Sequence, residues 1–199
     1  MIFPDERPVF LREANNNMYR VSAYFWAKIL SEFPSSLITP ILFGSIVYYA
    51  IGFNDLFERF LMFLLIIFLI FNASGGYALI LGTIFSDKQL AVTLTPVLII
   101  PFMLFAGFFV NQDNIPKFLM PFQYLSIFKY GFQALVINEF EGLELACMKE
   151  TDFAKKCDPL AEMAFPEDKA QSIWALVGMY VGCNFIALMI MMSLSKKYE

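Results

Sequence analysis

The sequence predicts an all-α membrane protein with four transmembrane helices. Two observations carry that prediction. Four windows, 33–54, 60–86, 89–112 and 170–195, contain no Asp, Glu, Lys or Arg, and each reaches the roughly 20 residues that a helix needs to cross a hydrocarbon core. The chain is also 59% hydrophobic and only 16% charged, whereas a soluble domain has about 25% charged residues. Four such windows in 199 residues leave too little polar sequence to coat a soluble fold.

The elements follow in order. Residues 1–33 read as an interfacial segment. Met18, Val21, Phe25, Ile29 and Phe33 recur at i+3/i+4 spacing and make one apolar stripe. Arg and Lys beside aromatics suit a helix lying at headgroup level. Pro34 is expected to turn or kink the chain. The first transmembrane helix is predicted over 35–53, with Pro40 and Gly44 inside it, so a neighbour should cover that stretch. A polar link, Asn54 to Arg59, leads to the second helix at 60–85. Ser86-Asp87-Lys88-Gln89 turns the chain into the third, 90–110, which Pro96 and Pro101 should bend. Segment 111–142 holds two uncharged stretches, 118–128 and 130–138, each too short to span and therefore expected to be re-entrant. A loop at 143–169 precedes the fourth helix, 171–194, which Lys196-Lys197 closes.

Four spans put both termini on one side. Lys and Arg near the spans number seven on each side. Short flanks outweigh long loops in setting orientation, so both termini are expected to be cytosolic and 143–169 external. Segment 111–169 has ten acids and six bases and holds the whole net charge of −4. In an oxidising compartment Cys147 and Cys157 are expected to pair, with free thiols as the alternative. Cys183 reads as a small buried apolar residue. There is no His and no CxxC pair, so no metal site is expected. The first apolar run starts too late for a signal peptide.

The chemistry is bounded by what the chain lacks. No G-x-x-x-x-G-K-[ST] phosphate cradle occurs, so this chain should neither bind nor hydrolyse ATP by itself, and no catalytic or cofactor residue is expected. Gly75-Gly76 and Gly82 read as helix-packing glycines, and Gly178-x-x-x-Gly182 as packing within the subunit ahead of a dimer contact. The sequon Asn72-Ala73-Ser74 lies too deep to be glycosylated. No ionisable residue falls inside the four predicted spans. That argues against a proton- or sodium-coupled carrier and against a charge-lined channel. An apolar, aromatic interior suits lipids, sterols or amphipathic xenobiotics. Nucleic acid is not an expected partner; membrane lipid is.

The stretch ERPVFLREANNNMYRVSAYFWAKILSEFP, beginning at Glu6, resembles the cytosolic loop and connecting helix of the G subfamily of ATP-binding-cassette transporters, the White-type half-transporters. The matching residues are Glu6-Arg7, Phe10, Glu13, Tyr19-Arg20, Tyr24-Phe25, Lys28 and Pro34. AGFFVNQDNIP resembles the end of the family's fifth transmembrane helix, and FQYLSIFKYGFQALVINEFEG its re-entrant helices. The resemblance implies that the four helices are the family's third to sixth and that the chain is the C-terminal part of a transmembrane domain. Met1 falls inside the family pattern, so a fragment is expected. A nucleotide-binding domain, upstream or on another chain, would use ATP and Mg. The complete transporter would be a homo- or heterodimer in the plasma membrane or an internal membrane, and an ATP-hydrolysing translocase.

By the same resemblance Glu6, Arg7, Glu13, Tyr19 and Arg20 would couple the membrane helices to that domain. The alternative is that the basic residues only anchor the helix to headgroups. Pro96, Ile100 and Met103 would line the substrate cavity, Phe108 and Phe109 would plug it, and Asn138 and Glu139 would join an external polar network. The two prolines of the third helix depart from the family pattern. A rival function is a truncated, non-transporting membrane subunit that pairs with full-length transporters and modulates them.

Overall fold

The computed structural model describes residues 3–16, 18–54, 56–85, 87–104, 106, 123–141, 145–146, 156–157 and 169–198. Its elements are α1 (Phe3–Asn15), α2 (Val21–Ile51), α3 (Phe57–Ile84), α4 (Lys88–Leu104), α5 (Ile127–Phe140), a two-residue hairpin pairing β1 (Leu145–Ala146) with β2 (Lys156–Cys157), and α6 (Lys169–Tyr198). Among the described residues, three helices are long and apolar enough to cross a membrane: α2, α3 and the 169–194 part of α6. The fourth expected span is represented by α4, whose 17 described residues extend about 25 Å at 1.5 Å per residue.

The boundary expected at Pro34 is absent. α2 is one helix of 31 residues that runs through Pro34 and Pro40, so the predicted interfacial segment and first span share an element. Proline removes an N–H and leaves a carbonyl of the preceding turn short of a partner. The carbonyls concerned are those of Leu30 and Ser36; the hydroxyl bonds of this stretch, Ser36 Oγ to Phe33 O at 2.9 Å and Ser45 Oγ to Ile41 O at 2.7 Å, go to other carbonyls.

α3 is the hub, with its most extensive packing against α6. The two helices run parallel: Ile66 meets Leu176 in one core cluster, and Leu79 and Ile80 meet Ala187 in the other. Their closest approach is at Gly76, where a Cβ would lie 2.9 Å from Cys183 Cβ. Only the absence of a side chain permits that spacing. Gly75 has nothing within 4 Å of such a Cβ, so one glycine of the pair serves packing. The 178–182 motif does not: among the described residues nothing lies within 4 Å of a Cβ at either of its glycines, which corrects the expectation of packing within the subunit.

α5 runs antiparallel to α3. Its first turn lies near Tyr77, whose hydroxyl donates to Leu125 O, and its last turn near Arg59. In between, Gly131 sits against Ile70. Ile70 is about 20 Å along α3 from Phe57 at 1.5 Å per residue, halfway down the helix. α5 thus reaches past the midpoint of α3 and, at 14 residues, is too short to span. α1 closes the other end of the bundle, where Phe10 and Ala14 pack with Phe25 of α2 and with Ala187 and Met191 of α6.

Candidate functional site

At the α1 end, two helices that the sequence separates by a short turn are joined by polar bonds. The Glu6 carboxylate of α1 takes Lys28 Nζ at 2.6 Å and the Tyr24 hydroxyl at 2.9 Å, both from α2. Lys28 also faces Glu32 at 3.7 Å, one turn along. The Tyr19 hydroxyl donates to Glu13 Oε2 at 2.7 Å. Its ring stacks on Tyr24 at 5.7 Å, and Tyr24 meets Phe10 at 4.7 Å. Burial first, and then the hydrogen bond to Glu13 and its charge, push the Tyr19 hydroxyl up to about 12. Buried Phe10 and the two half-buried tyrosines, under a carboxylate–ammonium pair, fix α1 against α2.

Of the five coupling candidates, the structure brings Glu6, Glu13 and Tyr19 into this cluster. Arg20 is exposed beside it, as is Arg12. The Arg7 side chain lies outside the described residues. Tyr24 and Lys28, which the sequence showed only as pattern matches, bind Glu6 directly. They lie 18 and 22 residues from Glu6, separations that no helical periodicity links.

Pro96, Ile100 and Met103 recur at helical spacing along α4, and all three are exposed, Ile100 to 50%. A separate groove of about 590 Å³ lies between α2, α3 and α6, with Glu6 of α1 at its wall; Lys28, Glu32, Ser36, Asn72, Gly75 and Asn184 also line it, and among the described residues none of α4 does. Phe108, Phe109 and Cys147 lie outside the described residues, and so does the side chain of Cys157.

At the opposite end from α1, Asn138 and Glu139 meet the α2–α3 link. Asn54 N–H donates to Glu139 Oε1 at 3.0 Å. Arg59 donates through Nη1 to Glu139 O and through Nη2 to Glu141 O, each at 2.6 Å, while Asn138 Nδ2 donates to Arg59 O at 3.1 Å. Lys169 at the start of α6 pairs with Glu141 at 2.9 Å. A guanidinium at the last carbonyls of α5 also complements that helix's dipole.

The structure adds a group that reading of spans missed. The four predicted spans hold no charge, but Lys129, on α5, enters the bundle at mid-depth and is only 6% exposed. Its Nζ lies 4.6 Å from the Tyr124 ring and 5.8 Å from that of Tyr130. The available signal was its isolation: it is the one charged residue between Lys117 and Glu139.

Residues 1–140 match the ABC-2 type transporter family. The chain belongs to that family. It is similar to the ABC transporter ATP-binding protein/permease wht-1 of Caenorhabditis elegans, 36% identical over 193 residues that cover 92% of this chain and 29% of the relative. It is 36% identical to Protein white of Drosophila melanogaster over 72% of this chain and 21% of that protein. It is 31% identical to ABC transporter G family member 24 of Dictyostelium discoideum over the full chain and 18% of the relative. This ABC-2 chain therefore spans less than a third of the length of these curated relatives. The matched part is the membrane region, and the White-type resemblance read from three motifs is shown.

Proposed function

We propose that this ABC-2 chain is the membrane-spanning part of an ATP-driven exporter for lipids, sterols or amphipathic xenobiotics. ATP and Mg would be used by a nucleotide-binding domain that this chain does not contain, and the working unit would be a dimer of half-transporters. In this reading α1 and both termini are cytosolic, and α1 passes the movement of the ATP-driven domain to the bundle. The observation that carries it is the Glu6–Lys28–Tyr24 junction. A helix that merely floated on headgroups would need no bond into the first span. Here α1 is fixed to α2 by charge-assisted bonds and to α6 by Phe10 and Ala14, while Arg12 and Arg20 remain exposed for a partner.

The test uses a complete transporter containing this membrane region, reconstituted in liposomes with a fluorescent amphipathic probe. ATP-dependent export is expected, together with loss of cargo-stimulated ATPase on Lys28→Met while basal ATPase persists. Export without ATP, or stimulation untouched by Lys28→Met, overturns the reading.

A further inference from the structure

A lysine that keeps its charge when buried needs an anionic partner, and Lys129 has none among the described residues. Its ammonium brings three donors, yet its contacts are the two tyrosine faces. A cation over aromatic rings is attracted to them, but the rings accept no ordinary hydrogen bond. Unmatched polar atoms accompany it. Gln133 Nε2, one turn further along α5 and 1% exposed as a residue, lacks a partner, and so does Gln123 Oε1 just before the helix, in a residue 4% exposed. Residues four apart share a helix face, which puts Lys129 and Gln133 on one side of α5.

The ammonium folds back towards the start of α5, because Tyr124 precedes that helix. The first turn of a 14-residue helix presents N–H groups without partners in the helix and the positive end of its dipole. Ser126 Oγ satisfies Lys129 N–H at 3.3 Å. Lys129, the Gln133 amide and the helix end thus supply one electropositive place within the bundle. Its rim is accessible: Tyr124 is 58% exposed and Leu125 56%. Ser126 Oγ also donates to Phe102 O at 2.7 Å, so the site adjoins the last turns of α4, between whose residues Ile100 and Met103 that contact lies.

We propose that Lys129, with the Gln133 amide and the first turn of α5, receives the anionic head, a carboxylate or phosphate, of a membrane amphiphile whose apolar body lies against α4. Naming that amphiphile as cargo rests on the transport reading above; the binding itself does not. Lys129 positions the ligand and has no part in ATP chemistry.

The test uses this chain in phosphatidylcholine nanodiscs, with cis-parinaric acid and its methyl ester as probes. Energy transfer from the two tryptophans, Trp26 and Trp174, reports binding, and empty nanodiscs correct for partition. The acid should bind at least about tenfold more tightly than the ester, the margin of one charge-assisted hydrogen bond. Lys129→Met should erase that margin, Lys129→Arg should keep it, and ester binding should not change. Equal binding of acid and ester to the unaltered chain overturns the proposal, as does a margin that survives Lys129→Met. Should Lys129→Met fail to fold, the acid-to-ester ratio of the unaltered chain and of Lys129→Arg still decides. Displacement of the acid by phosphatidylglycerol supports the site with a bilayer lipid as occupant; persistence supports it with cargo. Because no ATP is used, either result stands apart from the outcome of the export assay.

Discussion

Lys28 Nζ lies 2.6 Å from Glu6 Oε2, joining α1 to α2 across 22 residues of sequence. The side chain of Lys28 is 15% exposed and that of Glu6 40%. The pair is therefore half-desolvated, and the Tyr24 hydroxyl on the same carboxylate oxygen holds the geometry. Together with Phe10 buried against Tyr24, it sets the angle at which α1 crosses the end of the bundle.

Removing either partner should loosen α1 without unfolding the bundle. Lys28→Met takes the ammonium from Glu6 while Tyr24 still donates to it; Glu6→Gln removes the charge but still accepts from Tyr24, so it should be milder. A partly exposed pair contributes about 1 kcal/mol. Amide exchange over Phe3–Asn15 should rise roughly fivefold in Lys28→Met, by local opening, with α3 and α6 unchanged. Unchanged exchange in α1 would show that the apolar cluster alone holds it.

Tyr19 gives a pH prediction with a definite sign. Its neutral hydroxyl is the donor to Glu13, and its folded value of about 12 lies above the ordinary 10.0. A raised value means that the contact contributes fully below pH 10 and is lost as pH climbs through 12. In a spectrophotometric titration at 295 nm, Tyr19→Phe should remove one late-titrating tyrosine near pH 12. A missing step near pH 10 instead would mean that the Glu13 contact is not made.

How much was legible depended on which kind of order carried the information. Charge-free windows located α2, α3 and α6, which are long and apolar enough to span, and the shorter apolar α4, because crossing hydrocarbon constrains length and composition directly. Pro34 was expected to turn or kink the chain; α2 runs on through it without ending, because a breaker residue weakens a helix without dictating where it stops. Lys129 was missed because depth is a tertiary property: it follows from α5 running antiparallel to α3, with Gly131 against Ile70. The Gly178-x-x-x-Gly182 spacing marked a face that could pack closely, but α6 turns it away from the other helices and uses Cys183 against Gly76. The Glu6–Lys28 pair was present only as two matches to a family pattern, since an ion pair between helices has no period.

The two adjacent glycines of α3 make a controlled comparison. Gly76→Ala would place a Cβ 2.9 Å from Cys183 Cβ, whereas Gly75→Ala meets nothing within 4 Å. Overpacking a close contact costs about 1–3 kcal/mol, and alanine in a helix interior gains about 1 kcal/mol over glycine. Gly76→Ala should lower the unfolding midpoint in detergent, and Gly75→Ala should hold or raise it. Pairing Gly76→Ala with Cys183→Gly should restore part of the loss. Equal effects at both glycines would place the α3–α6 contact elsewhere.

Arg59 offers the sharpest test of how α5 is held at its depth. Its two guanidinium nitrogens reach two successive elements of the α5 end, Glu139 O and Glu141 O, both at 2.6 Å. Lysine presents a single ammonium and cannot reproduce that fork. Arg59→Ala leaves carbonyls at a partly buried helix end short of charged donors, a loss of about 2–3 kcal/mol, and Arg59→Lys should recover less than half of it. Asn138 Nδ2 would still bond the backbone of residue 59, so α5 should fray from its last turn and not detach as a whole. Cysteine accessibility scanned along α5 should therefore rise at Val136 and Phe140 in Arg59→Ala while Gln133 and Ala134 stay protected. A uniform rise along α5 would mean that the network at Glu139 anchors the whole helix, and no change would mean that Asn54 and Asn138 suffice.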